Sequence, residues 1–423
     1  MSILVVTFMV ESNLGYIADF IPETLASPGG IALFIAIAAV FAVSGILLLR
    51  SIRTETTNTR IHFSVNIVQY VLIAIIAVTI AQILATAQYS TIEIAATEVI
   101  SYGLWIAILS LLSVKFVSWI RNTGSNKRNL VVFILMLSMI AYVLNGLTGM
   151  ATHLIMLQEQ QKDVVTSEDV AYFPEFDPAS LYGQIDVVYQ ITASVAYVLT
   201  WIGTVLLLRP YIHRIGKVKF YAIMGAAMVY YLIEFPLFTL GYFTPTEETE
   251  QQVMNNIIIF GIASVLTGII FGVAFLAVAR TLRKDSVLRQ YMIIAAGGFV
   301  LFYVAGSVYA TQAAYPPYGL ASVAFTGLSC YLIYVGLYSA AVSVSQDYQV
   351  RESIRNSVMK DSHRFLEEMG MGQMQQERQK LVLSVAKKSA EQLAEDTGVE
   401  SSMTEDDMKD YMGIVMNELK DKR

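Results

Sequence analysis

Charge is scarce in this chain. Of its 423 residues only 15% are Asp, Glu, Lys or Arg, while 55% are hydrophobic and mean hydropathy is +0.56. Soluble domains carry about 25% charged residues, so this balance excludes a soluble globular protein and indicates a membrane protein. Cysteine is almost absent. Cys330 stands alone, which rules out an intramolecular disulfide and any cysteine metal site. Histidine is nearly as rare. His62, His153, His213 and His363 include no pair spaced for a metal or for haem, so no resident cofactor is expected. The P-loop, GxSxG, HExxH and Rossmann fingerprints are all missing. The chain therefore reads as a non-enzyme, with no cofactor and no nucleic-acid partner.

Long apolar runs dominate what is present. A span needs about twenty apolar residues. Nine runs qualify, at 31–50, 61–86, 99–120, 130–157, 184–208, 218–243, 254–279, 290–311 and 320–345. The expected fold class is all-α: a polytopic transmembrane helix bundle, 31–345, followed by a small helical tail, 346–423. Residues 1–30 contain Pro22, Pro28, Gly29 and Gly30 and read as an extracytoplasmic leader at the surface. Their apolar start, Met1 to Val10, lacks the basic region of a cleaved signal peptide.

The polar loops sort by charge. With nine spans, one side carries Arg50, Arg53, Arg60, Lys115, Arg121, Lys127, Arg128, Arg209, Arg214, Lys217, Lys219, Arg280, Arg283, Lys284 and Arg289, and the other carries Lys162 alone. Basic loops stay cytoplasmic, so the N-terminus is expected outside and the C-terminus inside a cell membrane. Acids gather on the outer side, at Glu159, Asp163, Glu168, Asp169, Glu175 and Asp177, and at Glu247, Glu248 and Glu250.

A faint repeat runs at an offset of about 160 residues. Leu47-Leu48-Leu49-Arg50 matches Leu206-Leu207-Leu208-Arg209, and Tyr142-Val143-Leu144-Asn145-Gly146 parallels Tyr303-Val304-Ala305-Gly306-Ser307. Spans one to four would recur as five to eight in the same orientation, with the ninth added. Chance likeness between apolar helices is the plain alternative. Gly268 and Gly272 form a GxxxG, which permits close helix packing.

Ionisable groups inside spans are costly and each needs a reason. Glu234 is the only carboxyl that the apolar runs place deep in the bundle, and Pro236 breaks its helix two residues on. With Tyr230 beside them they form one candidate for a ligand- or proton-responsive site. A structural role, satisfying the backbone at the kink, competes with that reading. Asn145 in span four and Asp186 at the outer end of span five complete the candidate set. Asn66, Gln69, Asn255 and Asn256 read as interhelical hydrogen bonders. The aromatic outer residues, among them Tyr172, Phe173, Phe176, Tyr182, Tyr242, Phe243, Tyr309, Tyr315 and Tyr318, suit either an interfacial belt or a cradle for a cation.

The tail holds twelve basic and sixteen acidic residues. Val350, Ile354 and Val358 step by four, as an amphipathic helix continuing span nine would. Met369-Gly370-Met371-Gly372 is expected to break it, a second helix to run towards Gly398, and a third to carry the stripe Met408, Tyr411, Met412, Val415 and Leu419. Such stripes call for a partner: a cytoplasmic protein, a second copy, the bilayer or each other. Asp361-Ser362-His363-Arg364-Phe365 is similar to the phospho-acceptor segment of sensor histidine kinases. It lacks the acidic residue and the Leu-Arg-x-x-Pro continuation, and no nucleotide box follows, so His363 reads as solvated. From Gly336-Leu337-Tyr338-Ser339 onward the tail resembles uncharacterised multi-pass membrane proteins of ammonia-oxidising archaea, which implies a prokaryotic cell membrane and brings no activity. The expectation that follows is a sensor passing an extracytoplasmic or intramembrane signal to the tail. A small-solute or ion transporter and a structural subunit of a complex are the alternatives. The absence of a proline in span two counts against a symmetric transport site.

Overall fold

The computed structural model describes residues 2–17, 22–54, 58–123, 130–159, 164–166, 179–226, 228, 250–282, 286–306, 315–347, 351–352 and 360–397. The described residues form an all-α bundle with one two-stranded ribbon. The long helices are α1 (Ser2–Ile17), α2 (Pro28–Ile52), α3 (Thr59–Thr86), α4 (Thr91–Thr123), α5 (Leu130–Glu159), α6 (Leu181–Leu208), α7 (Glu250–Thr281), α8 (Val287–Ala305), α9 (Leu320–Gln346) and α10 (Lys360–Thr397). Seven of them, α2 to α6, α8 and α9, are long and apolar enough to cross a membrane. They match seven of the nine expected spans. The expected span 254–279 falls in α7, whose described side chains begin at Leu266, and span 218–243 is described mainly as helix over 217–226.

The centre of the bundle is α9. All of its most apolar window is buried, yet its mean hydropathy there is 1.7; the outer helix α2 reaches 2.8 with 28% of its window buried. The order is physical. A face against lipid must be hydrocarbon, whereas a helix enclosed by protein can keep Ser, Thr and Tyr, because neighbouring helices satisfy them. Helix α8 packs along α9, α4 and the tail helix α10 cover further sides, and α1, α2 and α3 close the rest. Gly298 of α8 and Gly336 of α9 make the first contact possible. A Cβ on Gly298 would stand 2.7 Å from Ile333 N, and one on Gly336 2.5 Å from Ala295 N. The GxxxG of α7 does the same against α8, where Gly268 faces Val300 O and Gly272 faces Ala296 O.

Local signals set the helix ends. Ser27 Oγ accepts from Gly30 N at 3.3 Å with Pro28 in the first turn of α2. Inward Phe34, Ile37, Ala38, Phe41, Gly45 and Leu49 follow at helical spacing, and Val43 and Leu47 face outward. At the opposite end of α3, Ala87 takes the left-handed conformation. There β1 (Gln88–Ser90) pairs antiparallel with β2 (Val164–Thr166), which ties the long loop before α6 to the α3–α4 turn. Glu93 accepts from Thr79 Oγ1 at 2.8 Å and Gln82 Nε2 at 2.5 Å, holding the same corner.

Three expectations are corrected. The leader is not a surface strand of chain. Residues 2–17 are helical, with Leu4, Phe8 and Glu11 buried in the bundle and Phe8 4.8 Å from the Phe325 ring. Tyr315 and Tyr318 form neither a lipid belt nor an open cradle: both are buried, Tyr315 stacked on Tyr89 at 6.3 Å and Tyr318 donating to Gly30 O at 2.7 Å. And Met369-Gly370-Met371-Gly372 does not break the tail helix. It lies within α10, and the glycines let α10 dock against the bundle. A Cβ on Gly372 would meet Trp119 Cα at 2.7 Å and Trp119 O at 2.8 Å, and Gly370 rests on Val344. The contact overrides the weak helix propensity of glycine. Val350, Ile354, Val358 and the stripe from Met408 to Leu419 lie outside the described residues.

Candidate functional site

Helix α4 begins eight residues before its apolar run, and those residues bring a carboxyl into the bundle. Glu98, Ser101, Tyr102 and Trp105 stand at i, i+3, i+4 and i+7, so they share one face. All four are buried. From α5, His153 meets this row. Its Nε2 lies 3.0 Å from the Tyr102 hydroxyl, and its Nδ1 lies 3.6 Å from Glu98 Oε1. The second distance is too long for a hydrogen bond and leaves an electrostatic contact. Tyr102 stacks on Trp105 at 5.2 Å, and Trp105 meets Phe302 of α8 edge-on at 5.1 Å.

Helix α6 closes the third side. Gly149 leaves space that two rings fill: a Cβ there would meet Tyr189 at 2.9 Å and Tyr102 at 3.1 Å. Asn145, one turn earlier, donates to Tyr189 O at 3.1 Å and to Thr192 Oγ1 at 3.4 Å. Asn145 is therefore a strut between α5 and α6 that fixes the backbone under Tyr189. Asp186 is buried on α6 one turn before Tyr189. Of the remaining expected site residues, Tyr230, Glu234 and Pro236 lie outside the described residues.

A cavity of about 10 Å³ sits beside this row, walled by Ser101, Tyr102 and Trp105 of α4, Ala305 and Gly306 at the end of α8, and Val323 and Thr326 of α9. That is the scale of one water molecule. Among the described residues, both carboxyl oxygens of Glu98, Ser101 Oγ and Trp105 Nε1 have no hydrogen-bond partner. No group of three metal-ligating side chains occurs among the described residues. The arrangement places carboxyl, imidazole and phenol side by side in an apolar setting, which is chemistry suited to holding and passing a proton.

Two further networks cross the bundle. Glu11 of α1 accepts from Gly319 N at 3.1 Å, Ala321 N at 3.0 Å and Ser322 Oγ at 2.6 Å. It caps α9 from another helix, setting its carboxyl at the positive end of the dipole. Tyr318 ends the loop just before α9, where burial and the nearby Glu11 carboxyl push its phenol up to about 12. Deeper in, Tyr142 of α5 and Tyr303 of α8 hydrogen-bond through their hydroxyls. Thr200 of α6 donates to Tyr142 at 3.2 Å, and Ser138 joins Thr200 at 2.5 Å.

At the other end of α4 lies the tail. Trp119 Nε1 donates to Gln373 Oε1 of α10 at 2.9 Å, and Phe365, Leu366 and Met369 are buried in the core. Trp119 stacks on Tyr338, Tyr338 on Tyr334 and Tyr334 on Tyr331, at 6.5, 5.2 and 6.4 Å. The Tyr331 hydroxyl reaches His62 Nδ1 of α3 at 3.0 Å. Lys115 Nζ lies 5.1 Å from the Tyr338 ring.

Among the described residues, Glu98, Glu11 and, in the tail helix, Glu368 are buried carboxyls that the apolar runs did not single out. The run criterion starts a span where hydrophobicity rises; Glu98 sits at the margin of the run 99–120, and Glu11 lies in the leader ahead of the first run. The signal for Glu98 was the i, i+3, i+4, i+7 spacing with Ser101, Tyr102 and Trp105. For Glu11 it was a lone acid inside an apolar stretch. No family model matches the chain, and no curated protein or solved structure matches it either.

Proposed function

We propose that the chain is an integral membrane sensor of receptor type, without catalytic activity of its own. A signal would enter at the Glu98–Tyr102–His153 row and leave through α10. The observation that carries the reading is the docking of α10 onto α4 and α9 at the ends remote from that row. Helix α4 bears Glu98 near one end and Trp119 near the other, so one rigid element touches both sites. A change of charge or hydration at Glu98 that shifts α4 also bears on the Trp119–Gln373 contact. Interfaces as close as Gly372 on Trp119 do not deform gradually, which suits a switch between docked and released tail.

The charge asymmetry of the loops supports a cell membrane, prokaryotic by the resemblance of the tail, with N-terminus outside and α10 in the cytoplasm. There α10 would hand the signal to a cytoplasmic protein or to a second copy. Transport of a small solute or ion is the second reading. In its favour, Tyr142 and Tyr303, equivalent positions of the sequence repeat, bond to each other, as residues flanking a symmetry axis do.

The test is a distance measurement between spin labels on α10 and on the outer surface of α5, in reconstituted full-length protein. External pH and salt are varied. A sensor shows two tail distances whose proportions change with the outer medium. A single invariant distance, together with solute flux into the vesicles, would refute the sensor in favour of the transporter.

A further inference from the structure

The row on α4 carries four polar atoms that have no hydrogen-bond partner among the described residues. Glu98 Oε1 and Oε2, Ser101 Oγ and Trp105 Nε1 are all buried, all on one helix face, and Ser101 and Trp105 wall the same cavity. Native interiors leave few such atoms orphaned, because each keeps the full cost of its desolvation, and four of them on one helix face call for a shared partner. A single water answers the chemistry. Seated in the cavity, it accepts from the indole N–H and donates to the Ser101 hydroxyl, and its second proton points along the helix face towards Glu98, one turn from Ser101 and outside the cavity wall. The cavity of about 10 Å³ has room for that and for no organic molecule. The indole donor also argues against a bare metal cation, which needs lone pairs on every side.

We infer that this cavity seats a water molecule and forms a proton-binding site whose accepting group is the Glu98 carboxyl. The inference rests on the sensor reading and specifies its signal. The site lies where α8 passes over to α9, at the end of the bundle assigned to the outer face. A proton arriving as hydronium moves from the water oxygen to a Glu98 oxygen. One O–H bond breaks, one forms, and neutral water stays in the cavity; release reverses the step. Among the described residues, the titratable groups around the carboxyl are Tyr102 from α4, His153 from α5 and, across the Tyr102 ring, Tyr189 from α6. The cavity walls from α8 and α9 bring only Ala305, Gly306, Val323 and Thr326. His153, 3.6 Å away, is a positioning partner that biases where the proton rests.

Infrared difference spectra of the full chain in lipid nanodiscs, between about pH 5 and pH 8, test the site directly. The expected result is a protonated-carboxyl carbonyl band that grows on acidification and is missing in Glu98→Gln. Its midpoint should move by about one pH unit in His153→Gln. Should Glu98→Gln fail to fold, Ser101→Ala and Trp105→Phe are read instead, and each should shift the band frequency by removing a partner of the water. A band unchanged by pH, a band retained in Glu98→Gln, or one that sodium displaces at fixed pH overturns the inference. The readout is independent of the tail. A titrating Glu98 beside a static α10 keeps the site and sinks the sensor reading, whereas a moving α10 without the band does the reverse.

Discussion

Gly372→Ala is the sharpest test of how α10 is held. The added methyl would stand 2.7 Å from Trp119 Cα and 2.8 Å from Trp119 O, both backbone atoms that no side-chain rotation can move. Helices α10 and α4 must part by several tenths of an ångström. Overpacking of this kind costs about 1–3 kcal/mol. Separation also stretches the Trp119–Gln373 hydrogen bond, now 2.9 Å, worth about 1 kcal/mol. Against this, replacing glycine by alanine within a helix gains about 1 kcal/mol. The net loss is about 1–3 kcal/mol, or roughly a 5- to 150-fold rise in the released fraction of α10. Amide hydrogen exchange across 364–377, measured in nanodiscs, reads that fraction. Gly103→Ala is the control: it lies on α4, exposed, with nothing within 4 Å of the new methyl. Equal protection of α10 in the two variants would refute the packing argument.

Three further outcomes are expected. Glu11→Gln keeps the size of the side chain but turns one of two accepting oxygens into an amide donor; thermal unfolding should show a loss of about 1–3 kcal/mol, with Ser322→Ala losing about 1 kcal/mol. Tyr142→Phe and Tyr303→Phe, combined in a double-mutant cycle, should couple by about 0.6 kcal/mol, the usual worth of a hydrogen bond between membrane helices, and an uncoupled pair would mean that the hydroxyls do not meet. Labelling from either side of the membrane should reach a cysteine within 158–183 only from outside and one after Arg423 only from inside.

The composition alone was enough to call for an all-α bundle with helices long and apolar enough to cross a membrane, and the reason is that lipid would act on each residue separately. A face against hydrocarbon must be apolar whatever its neighbours are, so Leu33, Val43 and Leu47 announce α2 without any knowledge of the fold. The GxxxG of Gly268 and Gly272 was legible for a similar reason: missing side chains permit an approach, and α8 takes it. What lay beyond the sequence was which element each inward face meets. Nothing in its hydropathy marks α9 as central, because a helix wrapped in protein is freed from the demand for hydrocarbon. Gly370 and Gly372 read as a break from propensity alone, and only the Trp119 backbone across from them turns them into a docking surface. Glu98 and His153 are 55 residues apart in sequence. Burial by α8 and α9 and the register of α4 against α5 make them a pair, and such pairings are properties of the assembled bundle.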